Sequence, residues 1–154
     1  MKKILNRFPI YCQHLYADTI HGKCSDTLKK LPGIKIENEY DLQYLIYPLL
    51  LAVFEDARTE EVQDTGHHSV RKDIVIPSHD IVIELKCTRD TMSEHRLSEE
   101  IASDMVHYEN KNQFFYIYDS KKIISNVYNF CHTYEQKSIN DKKIEVVVFQ
   151  SLDI

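Results

Sequence analysis

Asp73, Glu84 and Lys86 are the residues whose types and spacing point most directly to chemistry. They stand in the stretch "DIVIPSHDIVIELK", residues 73–86. Its alternation of apolar and polar side chains predicts two strands, 70–76 and 81–87, joined by Pro77-Ser78-His79-Asp80. If that four-residue turn closes a simple hairpin, Ile76 faces Ile81, Val75 faces Val82, and Asp73 faces Glu84. Ile74, Ile76, Ile81, Ile83 and Leu85 then share a wholly apolar face. The other face holds Asp73, Val75, Val82, Glu84 and Lys86. Carboxylates directly opposite each other on neighbouring strands lie roughly 5 Å apart and repel. A divalent cation between them turns that repulsion into a binding site. Lys86 shares the face and would stand beside a water held by the cation.

Such a set suits phosphodiester hydrolysis. A carboxylate-held Mg²⁺ lowers the pKa of water and acts as a Lewis acid, while an ammonium orients the water and stabilises developing negative charge. Arg71 and Arg89, at the far ends of the two strands, are candidates to hold flanking phosphates. The plainer alternative is a salt-bridged surface hairpin, in which one lysine would have to satisfy two acids.

The elements that must position this hairpin are also legible. Asn38 with Asp41 reads as a helix cap with its reciprocal acid. Leu42, Leu45, Ile46, Leu49, Leu50, Val53 and Phe54 then recur at helical spacing, with Pro48 expected to kink the helix. Glu39 projects onto the apolar side of its first turn, where an acid needs a partner or a metal. A second helix is predicted over 96–109, with Leu97, Ile101, Met105 and Tyr108 on one side. "QFFYIYD" (113–119) reads as a buried strand. Ile124, Val127, Cys131 and Tyr134 have helical spacing within "KKIISNVYNFCHTYEQ", and "IEVVVFQS" reads as a last strand. The order helix, hairpin, helix, strand, helix, strand predicts an α/β (α+β) fold, a central mixed sheet flanked by helices. The expected organisation is one domain over 1–154, with 1–37 as an N-terminal helical extension ending at the Pro32-Gly33 turn.

Length and composition fit that reading. The chain has 154 residues, enough for one domain with a real core. Its net charge of −5 is concentrated: residues 37–64 hold eight acids against Arg58 alone, which leaves the remainder at +2 and allows a basic face elsewhere. Cysteines 12, 24, 87 and 131 lack metal-site or disulfide-framework spacing and are expected as reduced thiols. There is no run of 18 apolar residues and no secretory pattern at the N-terminus, so a cytoplasmic location is expected. His67 and His68 read as loop residues.

Asp73, a short turn, and then Glu84-Leu85-Lys86 resemble the D…(D/E)-x-K signature of the restriction-endonuclease-like PD-(D/E)xK nucleases. The blocks "NEYDLQYLIYPLLLAVFEDARTEE", "SVRKDIVIPSHDIVIELKCTRD", "SEEIASDMVHYEN" and "FYIYD" extend the resemblance to the small DpnII/MboI-type branch, over residues 38–119. Two features depart from the pattern. "TGHHSVRKD" replaces a Gly/Ser-rich approach to the first acid, and Pro77 follows Asp73 instead of preceding it. The resemblance implies a restriction-endonuclease-like core and a Mg²⁺-dependent nuclease in which Mn²⁺ substitutes. It further implies Asp73, Glu84 and Lys86 as the catalytic set. Asp73, Glu84 and the Leu85 backbone carbonyl become metal ligands; Glu39, found from its helix phase, is a candidate for an additional one. Asp104 and Tyr108 become structural support for the site. DNA is the implied substrate, RNA remaining open, in a bacterial restriction or phage-defence setting. A homo-oligomer, with docking on a larger defence complex as a further option, is the expected assembly. The competing reading is a nuclease-fold subunit without catalysis.

Overall fold

The computed structural model describes residues 1–16, 21–29, 35–64, 69–135 and 141–150. Among these, helices α1 (Lys2–Tyr16), α2 (Asp26–Lys29) and α3 (Glu39–Leu51) lead into strands β1 (Arg58–Asp64) and β2 (Ser69–Ile76). Then follow β3 (Ile81–Cys87), α4 (Glu94–His107), β4 (Asn112–Tyr118), α5 (Val127–Glu135) and β5 (Lys143–Phe149). The described strands form one mixed sheet in the order β1-β2-β3-β4-β5. The first three pair antiparallel, and β3, β4 and β5 run parallel. Parallel neighbours need crossovers, and α4 and α5 supply them.

The sheet separates two apolar layers. On one face Ile74, Ile76, Ile83, Leu85, Phe114 and Tyr116 meet Leu42, Ile46 and Leu50 of α3 and Leu5, Phe8 and Cys12 of α1. Helix α1 thus lies within the main core, and its Phe8 meets Tyr116 edge-on. On the opposite face Phe115, Ile117, Ile144 and Val146 meet Leu97, Ile101 and Met105 of α4 and Phe130 and Tyr134 of α5. A smaller cluster of Val75, Val82 and Tyr108 sits beside them. This three-layer arrangement is the mixed sheet flanked by helices expected from the element order, and it is consistent with the restriction-endonuclease-like core that the resemblance implied.

The hairpin has the expected register, with Ile74 opposite Ile83, Val75 opposite Val82 and Ile76 opposite Ile81. Its turn is a short 3-10 segment, Pro77–His79, closed by Asp80 in the left-handed region at φ 49°. Asp56 fastens the turn by accepting from the Ser78 N–H at 2.6 Å and from its hydroxyl at 2.9 Å.

Four local expectations need correction. Strand β1 was not foreseen: "RTEEVQD" lacks apolar alternation, yet it pairs with β2 from Arg58↔Val75 to Asp64↔Ser69. Helix α3 stops at Leu51, short of Val53 and Phe54. Asn38 caps it by accepting from Asp41 N–H at 3.1 Å, but the Asp41 carboxylate accepts from Glu37 N–H at 2.9 Å instead of from the cap residue. Finally, the stretch before Val127 is not helical. Buried Asp119 draws the N–H groups of Ile123 and Ile124 onto its two oxygens, both at 3.0 Å, which diverts them from a helical ladder.

Candidate active site

The paired register of β2 and β3 ends at Ile74↔Ile83, one residue short of Asp73 and Glu84. Beyond it the strands separate, and acidic side chains take over the hydrogen-bonding positions along β3. Asp73 Oδ2 accepts from Leu85 N–H at 2.9 Å, and Glu39 Oε1 accepts from Cys87 N–H at 3.1 Å. In a strand the N–H and C=O of one residue leave on the same side, so the Leu85 carbonyl is turned toward the same opening. Gln43 of α3 steadies the splayed strand by donating to the Asp73 carbonyl at 2.8 Å.

Glu84 and Lys86 alternate with Ile83 and Leu85 and so lie on the sheet face turned toward α4, the face that Asp73 shares. Lys86 Nζ lies 2.8 Å from Glu84 Oε1 and 2.8 Å from Asp104 Oδ2. The other Glu84 oxygen, Oε2, accepts from the Tyr108 hydroxyl. Tyr108 is placed at the C-terminal end of α4 by Lys142, whose ammonium donates to the Tyr108 carbonyl at 2.5 Å, and by Gln113, which donates to the same carbonyl at 2.9 Å. Ser93 caps the start of that helix by accepting from Arg96 N–H at 3.2 Å. Asp104 and Tyr108 therefore hold the ammonium and the acid of β3 from one helix.

The result is a polar cleft of about 190 Å³ lined by Glu39, Tyr40, Gln43, Arg71, Asp73, Glu84, Leu85, Lys86, Arg89 and Glu100. Every residue singled out from the sequence for catalysis, metal binding or substrate binding lines it. Arg71 donates to the Tyr40 hydroxyl at 2.7 Å, with its guanidinium 5.4 Å from the ring centre. Arg89 lies 3.5 Å from Glu39 Oε1. Tyr40, Gln43 and Glu100 were missed. Gln43 was readable from helix phase, since it follows Glu39 by four residues. His67 and His68 lie outside the described residues.

Electrostatics in the cleft follow from burial and like charge. Burial raises the Asp73 pKa, an effect opposed by the Leu85 N–H, Lys86 and Arg71 and reinforced by Glu39. Glu84 is pushed up to about 7, first by burial and then, against the pull of Lys86, by the Asp73 charge. Burial disfavours the Lys86 ammonium, but Glu84 and Asp104 together outweigh it and hold its pKa above the ordinary range. Burial and then Glu84 likewise raise the Tyr108 phenol, so it remains a donor.

Among the described residues, no three His, Cys, Asp or Glu side chains gather as a ready-made metal cage. The donors present are two carboxylates that disfavour each other's ionisation and a backbone carbonyl turned toward them. That set fits a Mg²⁺-type ion, which commonly takes one or two carboxylates and completes its shell with water and phosphate oxygens.

A split antiparallel hairpin extended by two parallel strands, with acids gathered at the split, defines the restriction-endonuclease class of nuclease folds. The family model for DpnII-MboI restriction endonucleases matches residues 1–151, and the chain belongs to that family. No curated protein and no solved structure matches it. Among the described residues, no helix is long and apolar enough to cross a membrane.

Proposed function

We propose that this protein is a divalent-metal-dependent endonuclease that hydrolyses phosphodiester bonds of DNA, with Asp73, Glu84 and Lys86 as its catalytic residues. The observation that carries the reading is the convergence of the two acids and the ammonium in one cleft where the β2–β3 ladder opens. Asp73, Glu84 and the Leu85 carbonyl would hold Mg²⁺, or Mn²⁺ in its place, with Glu39 as an additional donor. When bound, the metal supplies a water of lowered pKa and Lewis-acid stabilisation of the phosphate.

The chain's own groups do the rest. Lys86, fixed between Glu84 and Asp104, stays an ammonium at neutral pH. It can orient an attacking water and stabilise charge on phosphate, but it cannot take the water's proton. Arg71 and Arg89 flank the cleft and are assigned to the phosphates on either side of the scissile bond. Tyr108 keeps Glu84 in place by satisfying its buried second oxygen. Retention of both acids and the lysine argues against a subunit that has lost catalysis. A restriction or antiviral role in the cytoplasm, by a single domain over 1–154 acting as a homo-oligomer, completes the reading.

The test is cleavage of plasmid and linear DNA with Mg²⁺ or Mn²⁺, with EDTA as control. Wild-type protein is expected to cut only with metal, and Glu84→Ala not at all. Cleavage that survives in Glu84→Ala would overturn the site assignment.

A further inference from the structure

Helix α3 turns an apolar stripe outward. Leu42, Ile46 and Leu50 fill the core, yet the exposed positions are Tyr40, Tyr44, Pro48 and Leu51. Tyr44 is 81% exposed and Tyr40 55%. A surface helix ordinarily carries charged groups on that side, and exposed aromatic stripes mark binding surfaces. One end of the stripe enters the candidate active site, because Tyr40 lines the cleft and accepts from Arg71 at 2.7 Å. Tyr44 lies one helical turn further along, about 5–6 Å away.

We infer that Arg71, Tyr40 and Tyr44 form a nucleotide subsite that takes an unpaired base flanking the scissile phosphate. The inference rests on the nuclease reading above and narrows its substrate class. The pieces match a nucleotide part by part. Arg71 meets a phosphate, Tyr40 fixes the guanidinium through its hydroxyl and ring, and Tyr44 presents a flat exposed face to a base. At the cleft end the Arg71 guanidinium adjoins the Tyr40 ring and supplies the positive charge that a phosphate would meet. In a duplex both faces of each base are covered by its neighbours. A ring can therefore stack only on a base that is unpaired, at a gap, at an end or flipped out. The expected substrates are gapped, frayed or single-stranded DNA, or duplex sites from which one nucleotide is extruded.

The experiment uses oligodeoxynucleotides carrying one 2-aminopurine, either in a single-stranded segment or within a fully paired duplex. Binding is followed by fluorescence in Ca²⁺, alongside cleavage of the same strands in Mg²⁺. Wild-type protein is expected to quench the unpaired probe by stacking. Tyr44→Ala should lose the quenching and bind the unpaired probe roughly ten-fold more weakly, with an unchanged melting temperature. Tyr44→Phe, which keeps the ring, should restore both. Quenching by a protein that cuts nothing would support the subsite while removing the nuclease reading. Cleavage of every substrate by Tyr44→Ala at the wild-type rate, with quenching retained, would overturn the subsite and leave the nuclease reading intact. A change from dimer to monomer in Tyr44→Ala, with DNA binding unaffected, would assign the stripe to a second copy of the chain and overturn the subsite as well.

Discussion

The Asp73 carboxylate accepts from the Leu85 N–H at 2.9 Å, in the position on β3 that a neighbouring strand would otherwise fill. The opening between β2 and β3 is therefore bridged by an acid side chain, and the Leu85 N–H holds Asp73 in place. Glu84, on the next strand, must tolerate its charge.

That tolerance has a pH signature. The Glu84 pKa rises from its ordinary 4.5 to about 7 in the fold. Between those values the folded chain binds more protons than the unfolded one, so stability falls as pH rises through this window. The slope is at most about 1.4 kcal/mol per pH unit for one group. Asp73 is shifted in the same direction. Lys86, raised from 10.5, contributes stability that is fully present throughout this range. Metal-free protein should melt higher at pH 5.5 than at pH 8, and Glu84→Gln should flatten the difference. A wild-type melting curve independent of pH over this range would refute the raised pKa of the buried Glu84.

Added metal should act in the opposite sense. Mg²⁺ or Mn²⁺ binds the ionised acids and competes with the proton on Glu84. The rise in melting temperature on adding metal should therefore be larger at pH 8 than at pH 5.5. Asp73→Asn should abolish the increment. An equal increment in mutant and wild type would place the metal elsewhere.

Much of this arrangement was legible in the sequence, for identifiable reasons. The Ile74-Ile76-Ile81-Ile83-Leu85 alternation and a four-residue turn leave little freedom of register, because a one-residue slip would expose the whole apolar set. Glu39 was found by helix phase alone. The ladder's early end at Ile74 was not legible, since it depends on Gln43 and Glu39 arriving from α3 to satisfy the separated strands. Strand β1 escaped because its pairing with β2, not its own composition, makes it a strand; Val62 is largely exposed there. The delayed start of α5 is set by Asp119, which also accepts from Thr88 and Gln150. Those partners are distant in sequence, so nothing local announces the interruption.

Tyr108 gives a test of positioning separate from the acids themselves. Tyr108→Phe removes the donor to Glu84 Oε2 and leaves a buried carboxylate oxygen without a partner, a loss of roughly 1–3 kcal/mol when Glu84 is ionised. The hydroxyl lowers the Glu84 pKa, so the mutant should show it raised further. Cleavage should fall most at neutral pH and recover in part at higher pH or higher metal concentration. A uniform loss at every pH, with unchanged metal dependence, would mean that Tyr108 serves only the fold.

Assembly follows from counting sites. One chain carries one Asp73–Glu84–Lys86 set and so cuts one strand in each binding event. Cutting both strands of a duplex calls for two such sites, most simply related by a two-fold axis. The acids of residues 37–64 also limit the basic footprint that one chain offers to DNA, and pairing would enlarge it. Candidate surface lies where α5 meets β5, the last strand in the sheet order. Cys131, His132 and Val146–Val148 line an apolar groove there, beside the exposed ring of Tyr128. Light scattering at micromolar concentration should give twice the 18.2 kDa chain mass or a higher even multiple. Tyr128→Asp should lower that mass and convert double-strand breaks into nicks. An 18.2 kDa species that still breaks both strands would sink the two-site argument.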